Sequence, residues 1–296
     1  MATLREVRRR IAGVKSTQKI TKAMKMVAVA KLRRAQMGIL SARPYAQKVR
    51  QLLEHLLENA DERAPGLLTG REVRTVGIVA VTADRGLCGA FNTNVIRTVQ
   101  AHLEAHYPGW REQGKVRIYC IGKKGVDLLA KRGYALGGRF VGVYNRLVFA
   151  EAQKIARTLV AAYQEGTVDR LEIVYNEFKS VTQQKVVVEQ FLPLLSDAAS
   201  GGSPSGPAVN YIYEPSRASI LEALLPRHLN FQVWRVLLES NAAEQGARMT
   251  AMENASRNAS ELIEQLQLQY NKARQALITK ELLEIVSGAE ALRQEG

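Results

Sequence analysis

From Leu238 the chain can be stepped 4, 3, 4, 3 through Ala242, Gln245, Met249, Met252, Ser256, Ala259, Ile263, Leu266, Tyr270, Ala273, Leu277, Lys280 and Glu284. That spacing keeps one stripe of a helix turned toward a partner helix, which is the pattern of a coiled coil. Ten of the fourteen positions are apolar and the last two are not. The seam is therefore expected to lose its partner near residue 277, while the helix continues to a stop at about Ser287–Gly288. The other end of the chain has the same character. Leu4, Val7, Ile11 and Val14 step by 3, 4 and 3, and Thr3 with Glu6 three residues later makes a capping-box pattern. Between residues 2 and 58 only Gly13, Gly38 and Pro44 interrupt a helix. Unbroken, such a helix would reach roughly 85 Å at 1.5 Å per residue. Pro44 removes a backbone donor and is expected to bend or break it; Pro226 allows a bend early in the last segment.

An α/β pattern lies between these segments. "VRTVGIVAVTA" (73–83) reads as a buried strand ending in the turn "DRGLCG", with a helix from about Asn92. "KVRIYCIG" (115–122) is a second strand, followed by a helix over 123–132 and another over about 147–165. Strands follow at "RLEIVYNEF" (170–178) and "QKVVVEQFLPL" (184–194), and "SDAASGGSPSGPAVN" (196–210) has the composition of a linker. Strands alternating with helices favour a partly parallel sheet covered on both faces. The expected fold is α/β: a Rossmann-like central domain over 59–210, between coiled-coil helices over 1–58 and 211–296.

Charge narrows the partners. Of a net +14, residues 1–58 hold +11, from 14 Lys and Arg against Glu6, Glu54 and Glu58. The stretch "KITKAMKMVAVAKLRRAQ" (19–36) is basic and carries Met and Val on several faces, so an acidic partner should meet this segment. Nucleic-acid phosphates, an anionic membrane and acidic protein surfaces all have the right sign. Residues 1–44 offer no aromatic ring to stack on bases or anchor at a lipid interface, which weakens the first two. No apolar run approaches the ~20 residues that span a bilayer. A secretory signal and a transit peptide both fit the N-terminus badly.

Chemistry-bearing motifs are sparse. "ADRGLCGAFN" lacks G-x-G-x-x-G, and "IGKKG" fails as a P-loop because Arg117 stands where its first glycine belongs. Both read better as glycine-assisted turns. His102 and His106 are spaced i, i+4 without further ligands at metal-site spacing, and read as a solvated helix face. Cys88 and Cys120 suit a reducing compartment without a disulfide framework, each reading as a small packed residue. No catalytic, cofactor or metal site is expected.

The longer motifs carry a resemblance. "LREVRRRIAGVKSTQKITKAMKMVAVAKLRRAQ" resembles the family opening "IRxKIxxVxxTxKITKAMxMVA", and "ARPYA" follows at 42–46. "TADRGLCGAFN" (82–92), "YEP" (213–215), "AEQGARMTAM" (243–252) and "LQLQYNKARQALITKELLEIVSGAEAL" (266–292) continue it. On these blocks, which run the length of the chain, the sequence resembles the γ subunits of rotary F-type ATP synthases, of bacterial type.

The resemblance implies a non-catalytic rotor shaft. It would couple proton or sodium flow through the membrane sector to ATP synthesis on the β subunits. The terminal helices would wind into an antiparallel coiled coil inside the hexamer of α and β subunits. The central domain would lie against the ε subunit and the c-ring, and membrane association would come only through the complex, at the cytoplasmic face of the bacterial plasma membrane. Carried over by motif, Met24 and Lys25 should lie near acidic lever loops of the β subunits, with Arg248 close to Met24 across the coiled coil. Arg274, Gln275 and Thr279 match positions that hydrogen-bond a β-subunit catch loop. If Met24 opposes Arg248, Val14 should face Asn258 and Leu4 should face Leu268. The competing class is a basic coiled-coil protein on nucleic acid or a membrane surface. Chloroplast relatives switch through a cysteine pair in an insertion; this chain has no such insertion, so no regulatory disulfide is expected.

Overall fold

The computed structural model describes residues 3–57, 66–68, 70–180, 184–194, 214 and 216–294. The 196–210 segment expected as a linker lies outside the described residues, as do two of the three residues of "YEP". In order, the elements are α1 (Leu4–Leu57), β1 (Val76–Val81), α2 (Phe91–His106), β2 (Val116–Ile121), α3 (Lys123–Lys131), β3 (Leu136–Phe140), a 3-10 turn (Val143–Asn145), α4 (Phe149–Gln164), β4 (Arg170–Phe178), β5 (Gln184–Leu192) and α5 (Arg217–Gln294). The chain forms two compact units, Val29–Arg248 and the pair of segments Met1–Ala28 and Met249–Gly296.

In the Val29–Arg248 unit the five strands form one sheet in the order β3-β2-β1-β4-β5. β1 pairs parallel with β2 and β4, β2 pairs parallel with β3, and only β5 runs antiparallel to its neighbour. β1 is buried along its whole length, as a central strand covered on both faces must be. Alternate side chains supply two cores. Ile78, Ala80, Ile118 and Val174 pack against Val95, Ile96 and Val99 of α2 and Leu129 of α3. Val79, Val81, Ile121 and Ile173 pack against Ile155 and Leu159 of α4 and Leu229, Val233 and Val236 of α5. The long helices join the same unit: Leu53 and Leu56 pack with Leu221 and Leu225, and Leu32 and Ala35 pack with Ala242.

β3 was not expected from the sequence, because "LGGRF" has two glycines and no apolar alternation. The Tyr119 ring explains the glycines: a Cβ at Gly137 or Gly138 would come within 2.8 or 2.9 Å of it. The helix ends also differ from expectation. α1 continues through Pro44, whose exposed position leaves the freed carbonyl of the preceding turn open to water. α5 continues through Pro226 and passes Gly288 to Gln294. A single glycine costs a helix only about 1 kcal/mol relative to alanine, too little to end it alone.

In the smaller unit the N-terminus is capped as expected. Thr3 N–H donates to Glu6 Oε2 (3.0 Å), and Glu6 N–H donates to Thr3 Oγ1 (3.3 Å). The two helical segments run antiparallel. Val7, Thr21 and Ala28 are buried on one side, and Met252, Ser256, Ala259, Ile263 and Leu266 on the other. Those α5 residues are the predicted seam. Its register differs from the one expected. Residue 8 meets 270, 18 meets 260, 21 meets 256 and 25 meets 253. These partner numbers add to 277 or 278, five or six more than the Met24–Arg248 opposition requires. Polar contacts set the alignment: Thr21 Oγ1 and Ser256 Oγ are 2.7 Å apart and buried, and Gln18 donates to Ser260. A polar layer inside an apolar seam is satisfied in one register only.

Candidate functional site

The basic stretch 19–36 has one face in the helix pair and leaves the rest outside. Lys19, Lys22, Lys31, Arg33 and Arg34 are exposed. So are Ile20, Val27 and Met26, the last 72% exposed. Apolar side chains standing among lysines and arginines explain why the sequence looked amphipathic on several faces: only one face is used inside this chain. Met24 is half-buried. Lys25 Nζ lies 2.7 Å from Glu253 Oε1, and that partner holds the Glu253 carboxyl below the usual carboxylate range.

Arg248 stands differently from a surface contact residue. Its side chain is 12% exposed. It donates to Glu244 Oε1 (2.6 Å) and to the Gly86 carbonyl (2.7 Å), tying α5 to the turn after β1. Burial pushes the Glu244 carboxyl up; Arg248 opposes that shift and Asp84 adds to it. Glu253, Glu244 and Gly86 were all missed from sequence. The i, i+4 spacing of Glu244 and Arg248 was a usable signal; the long-range partners left none.

Arg274, Gln275 and Thr279 are exposed on the part of α5 that outruns α1. Thr279 Oγ1 donates back to the Gln275 carbonyl (2.9 Å), leaving the Arg274 and Gln275 side chains facing outward. Ala273 is the last half-buried position; residues 274–289 are exposed throughout. The Arg8–Tyr270 contact gives the reason, since α1 begins at Leu4 and has nothing left to pair with them. The seam therefore loses its partner a turn before the expected residue 277.

The turns that resemble phosphate loops are committed internally. Lys123 N–H donates to Asp84 Oδ1, Lys124 N–H to the Ala83 carbonyl and Gly125 N–H to Thr82 Oγ1. These are the amides at the start of α3 that an anion would need. Gly122 sits at φ +91, and a Cβ there would meet the Thr82 carbonyl oxygen at 2.1 Å. The glycines serve a close backbone approach, as expected of tight turns.

His102 is a correction to the solvated-face reading. Its side chain is 13% exposed, and Nε2 lies 2.7 Å from Glu172 Oε2. Tyr107 donates to the other oxygen of Glu172 (3.1 Å), and Arg170 Nε lies 3.0 Å from it. His106 remains exposed. The helix face turns inward here because a buried carboxylate on β4 needs partners. Cys88 and Cys120 are both free and buried.

Comparison with known proteins supplies what the geometry alone does not. The family model described as ATP synthase matches residues 3–292. An ATP synthase gamma chain from Chloroherpeton thalassium is 51% identical, with 99% of each chain covered. One from Chlorobaculum tepidum is 50% identical, covering 99% of this chain and all of that one. Among solved structures, a chain of the Tetrahymena thermophila mitochondrial ATP synthase central stalk and c-ring superposes with a TM-score of 0.59 at 27% identity, covering 80% of this chain and 99% of that one. A chain from the Euglena gracilis mitochondrial ATP synthase OSCP/F1/c-ring structure, in rotational state 3, shares the fold with a TM-score of 0.69 at 24% identity, covering 98% and 94%. A family match and near-half identity, both running essentially end to end, place this chain in the ATP synthase gamma-chain family.

Proposed function

We propose that this chain is the central shaft of an F-type ATP synthase, turning inside a hexamer of α and β subunits and carrying no catalytic residue itself. The observation that carries the reading is the uncovered end of α5. Leu277, Ile278, Leu282, Leu283, Ile285 and Val286 are all exposed on a helix that has run past its own partner. Apolar surface of this extent marks a protein contact. Its position beyond the last α1 contact suits a collar of surrounding subunits.

Function follows from asymmetry. One shaft cannot touch several chemically identical subunits in the same way. It stabilises a different conformation in each, and turning exchanges those conformations. Met24 and Lys25 contact acidic lever loops of the β subunits, where exposed lysines and arginines give attraction and Met26 and Val27 give contacts that slide. Arg248, in the larger unit, supports a contact with a β subunit by holding the Gly86 turn in place. Arg274, Gln275 and Thr279 reach the catch loop of a β subunit. The central domain, taken as 59–210 between helical segments 1–58 and 211–296, meets the ε subunit and the c-ring. The chain thereby sits at the cytoplasmic face of a bacterial membrane without entering it; among the described residues no helix is long and apolar enough to cross one.

Purification of the native chain tests this reading. It should bring down two larger subunits in equal copy number, with ATPase activity in the complex and none in the isolated chain. Recovery with nucleic acid or lipid alone, or ATPase activity in the isolated chain, would contradict it.

A further inference from the structure

Charge is distributed one-sidedly around the β3 edge of the sheet. Residues 115–146, which run from β2 through α3 and β3 to just past the 3-10 turn, hold eight Lys and Arg against a single acid, Asp127. Lys115, Arg117, Lys123, Lys131, Arg139 and Arg146 are exposed, and none of them forms an ion pair among the described residues. Lys115 and Arg117 lie at the start of β2, and Lys131 closes α3 just before β3 begins. Lys123 follows the end of β2, and Arg139 sits near the end of β3. Because β2 and β3 run parallel, these cations flank the edge at both of its ends.

The strand between them is open. β3 is the last strand in the sheet order, so one side of it bonds to β2 and the other faces outward. Its register passes over Gly137 and is regular from Gly138 to Phe140, opposite Tyr119 to Ile121. On the inner side the Ala135 and Phe140 carbonyls accept from the Ile118 and Gly122 amides. On the outer side no strand of the described residues pairs with it. Gly137 and Gly138 bring no side chain to shield that backbone. Leu136 and Phe140 are only half-buried, and Val141 is 53% exposed.

We propose that the outer edge of β3 receives an extended, acidic segment of another subunit as a sixth strand. The inference rests on the reading of this chain as one subunit of a larger assembly. Backbone hydrogen bonds to an open edge supply affinity, and side chains at alternate positions supply selectivity. Proteins guard such edges with charge, and guards of one sign also act as a filter. Arg139 and its neighbours repel a second copy of the same basic edge and attract a strand that carries Asp or Glu. An anionic membrane would answer the charge alone; the bare backbone between the two groups of cations calls for a strand.

Hydrogen exchange at the β3 amides tests the proposal, read in the isolated full chain and in the native assembly. Exchange at Gly138–Phe140 should be several-fold slower in the assembly. Lys131→Glu with Arg139→Glu should abolish that slowing, with subunit composition and exchange in β1 unchanged. Equal exchange in the isolated chain and an assembly that contains the α and β subunits overturns the sixth strand while leaving the shaft reading intact. Slowed exchange in a complex without those subunits contradicts the shaft reading and supports the sixth strand. Slowing that survives the double charge reversal overturns the acidic partner. Slowing of the isolated chain by phosphatidylglycerol vesicles to the level of the assembly overturns the strand in favour of lipid.

Discussion

Lys25 and Glu253 form an ion pair across the two helices of the smaller unit, with 2.7 Å between Nζ and Oε1. The pair fixes residue 25 opposite 253, and the buried Thr21–Ser256 contact one turn away agrees with it. Because Lys25 is still 37% exposed, it can meet an acidic partner while its own acid holds it in place.

Cysteine cross-linking tests this register. The Thr21 and Ser256 oxygens approach within 2.7 Å, close enough for cysteines at these positions to meet disulfide geometry. Thr21→Cys with Ser256→Cys should bridge efficiently within one chain under mild oxidation. Val14→Cys with Asn258→Cys should not. The reverse pattern, read on non-reducing gels, would restore the register expected from sequence.

Arg248→Ala should damage folding rather than only a contact. It leaves Glu244 buried without its partner, a loss of about 3–5 kcal/mol for a pair this enclosed. Glu244 then has its folded-state pKa raised further above the unfolded value, so its ionisation opposes folding increasingly as pH rises. Chemical denaturation should find the variant weaker near pH 8 than near pH 5 relative to the unaltered protein, and adding Glu244→Gln should recover part of the loss at the higher pH. A stability unchanged by Arg248→Ala would show the tether to Gly86 to be incidental.

Tyr107 makes an alkaline prediction. Burial, and then the charge of Glu172, push its phenol up to about 12. The folded protein therefore keeps that proton where the unfolded chain releases it, and the contribution is complete below about pH 10 and lost as pH rises toward 12. Tyr107→Phe should cost about 1 kcal/mol near pH 8 for the lost hydrogen bond to Glu172. The gap between variant and native protein should narrow near pH 11. A gap that stays constant with pH would mean that Tyr107 titrates as if exposed.

Much of the architecture was legible because it rests on local pattern. The α5 seam was readable down to Ser256 because a 3-and-4 step survives one polar substitution. β1, β2 and β4 were readable because buried parallel strands are short apolar runs. β3 was hidden because its glycines answer to Tyr119, a contact between different strands. Register was hidden for a related reason. An antiparallel heptad pattern fits at several offsets, and the choice falls to pairs such as Thr21–Ser256 that have no sequence signature. The proposed contact residues divide the same way. Exposure of Arg274 and Gln275 follows from helix length, whereas the burial of Arg248 depends on a loop 162 residues away.

Arg274→Ala combined with Gln275→Ala should lower turnover of the assembled complex by several-fold and leave assembly and thermal stability unchanged. Both side chains are exposed on a helix segment without an internal partner, so nothing inside the chain is lost. Charge-assisted hydrogen bonds made in only some rotary positions affect rate more than folding. Unchanged turnover would remove both residues from the mechanism.

The most direct test of the account is rotation itself. With the surrounding hexamer fixed to a surface and a bead attached through a cysteine at Glu104, an exposed α2 position, addition of ATP should turn the bead through many full revolutions in one direction. A bead that stays in place or merely jitters, while the same complexes hydrolyse ATP at their normal rate, would contradict the claim that this chain is the rotor.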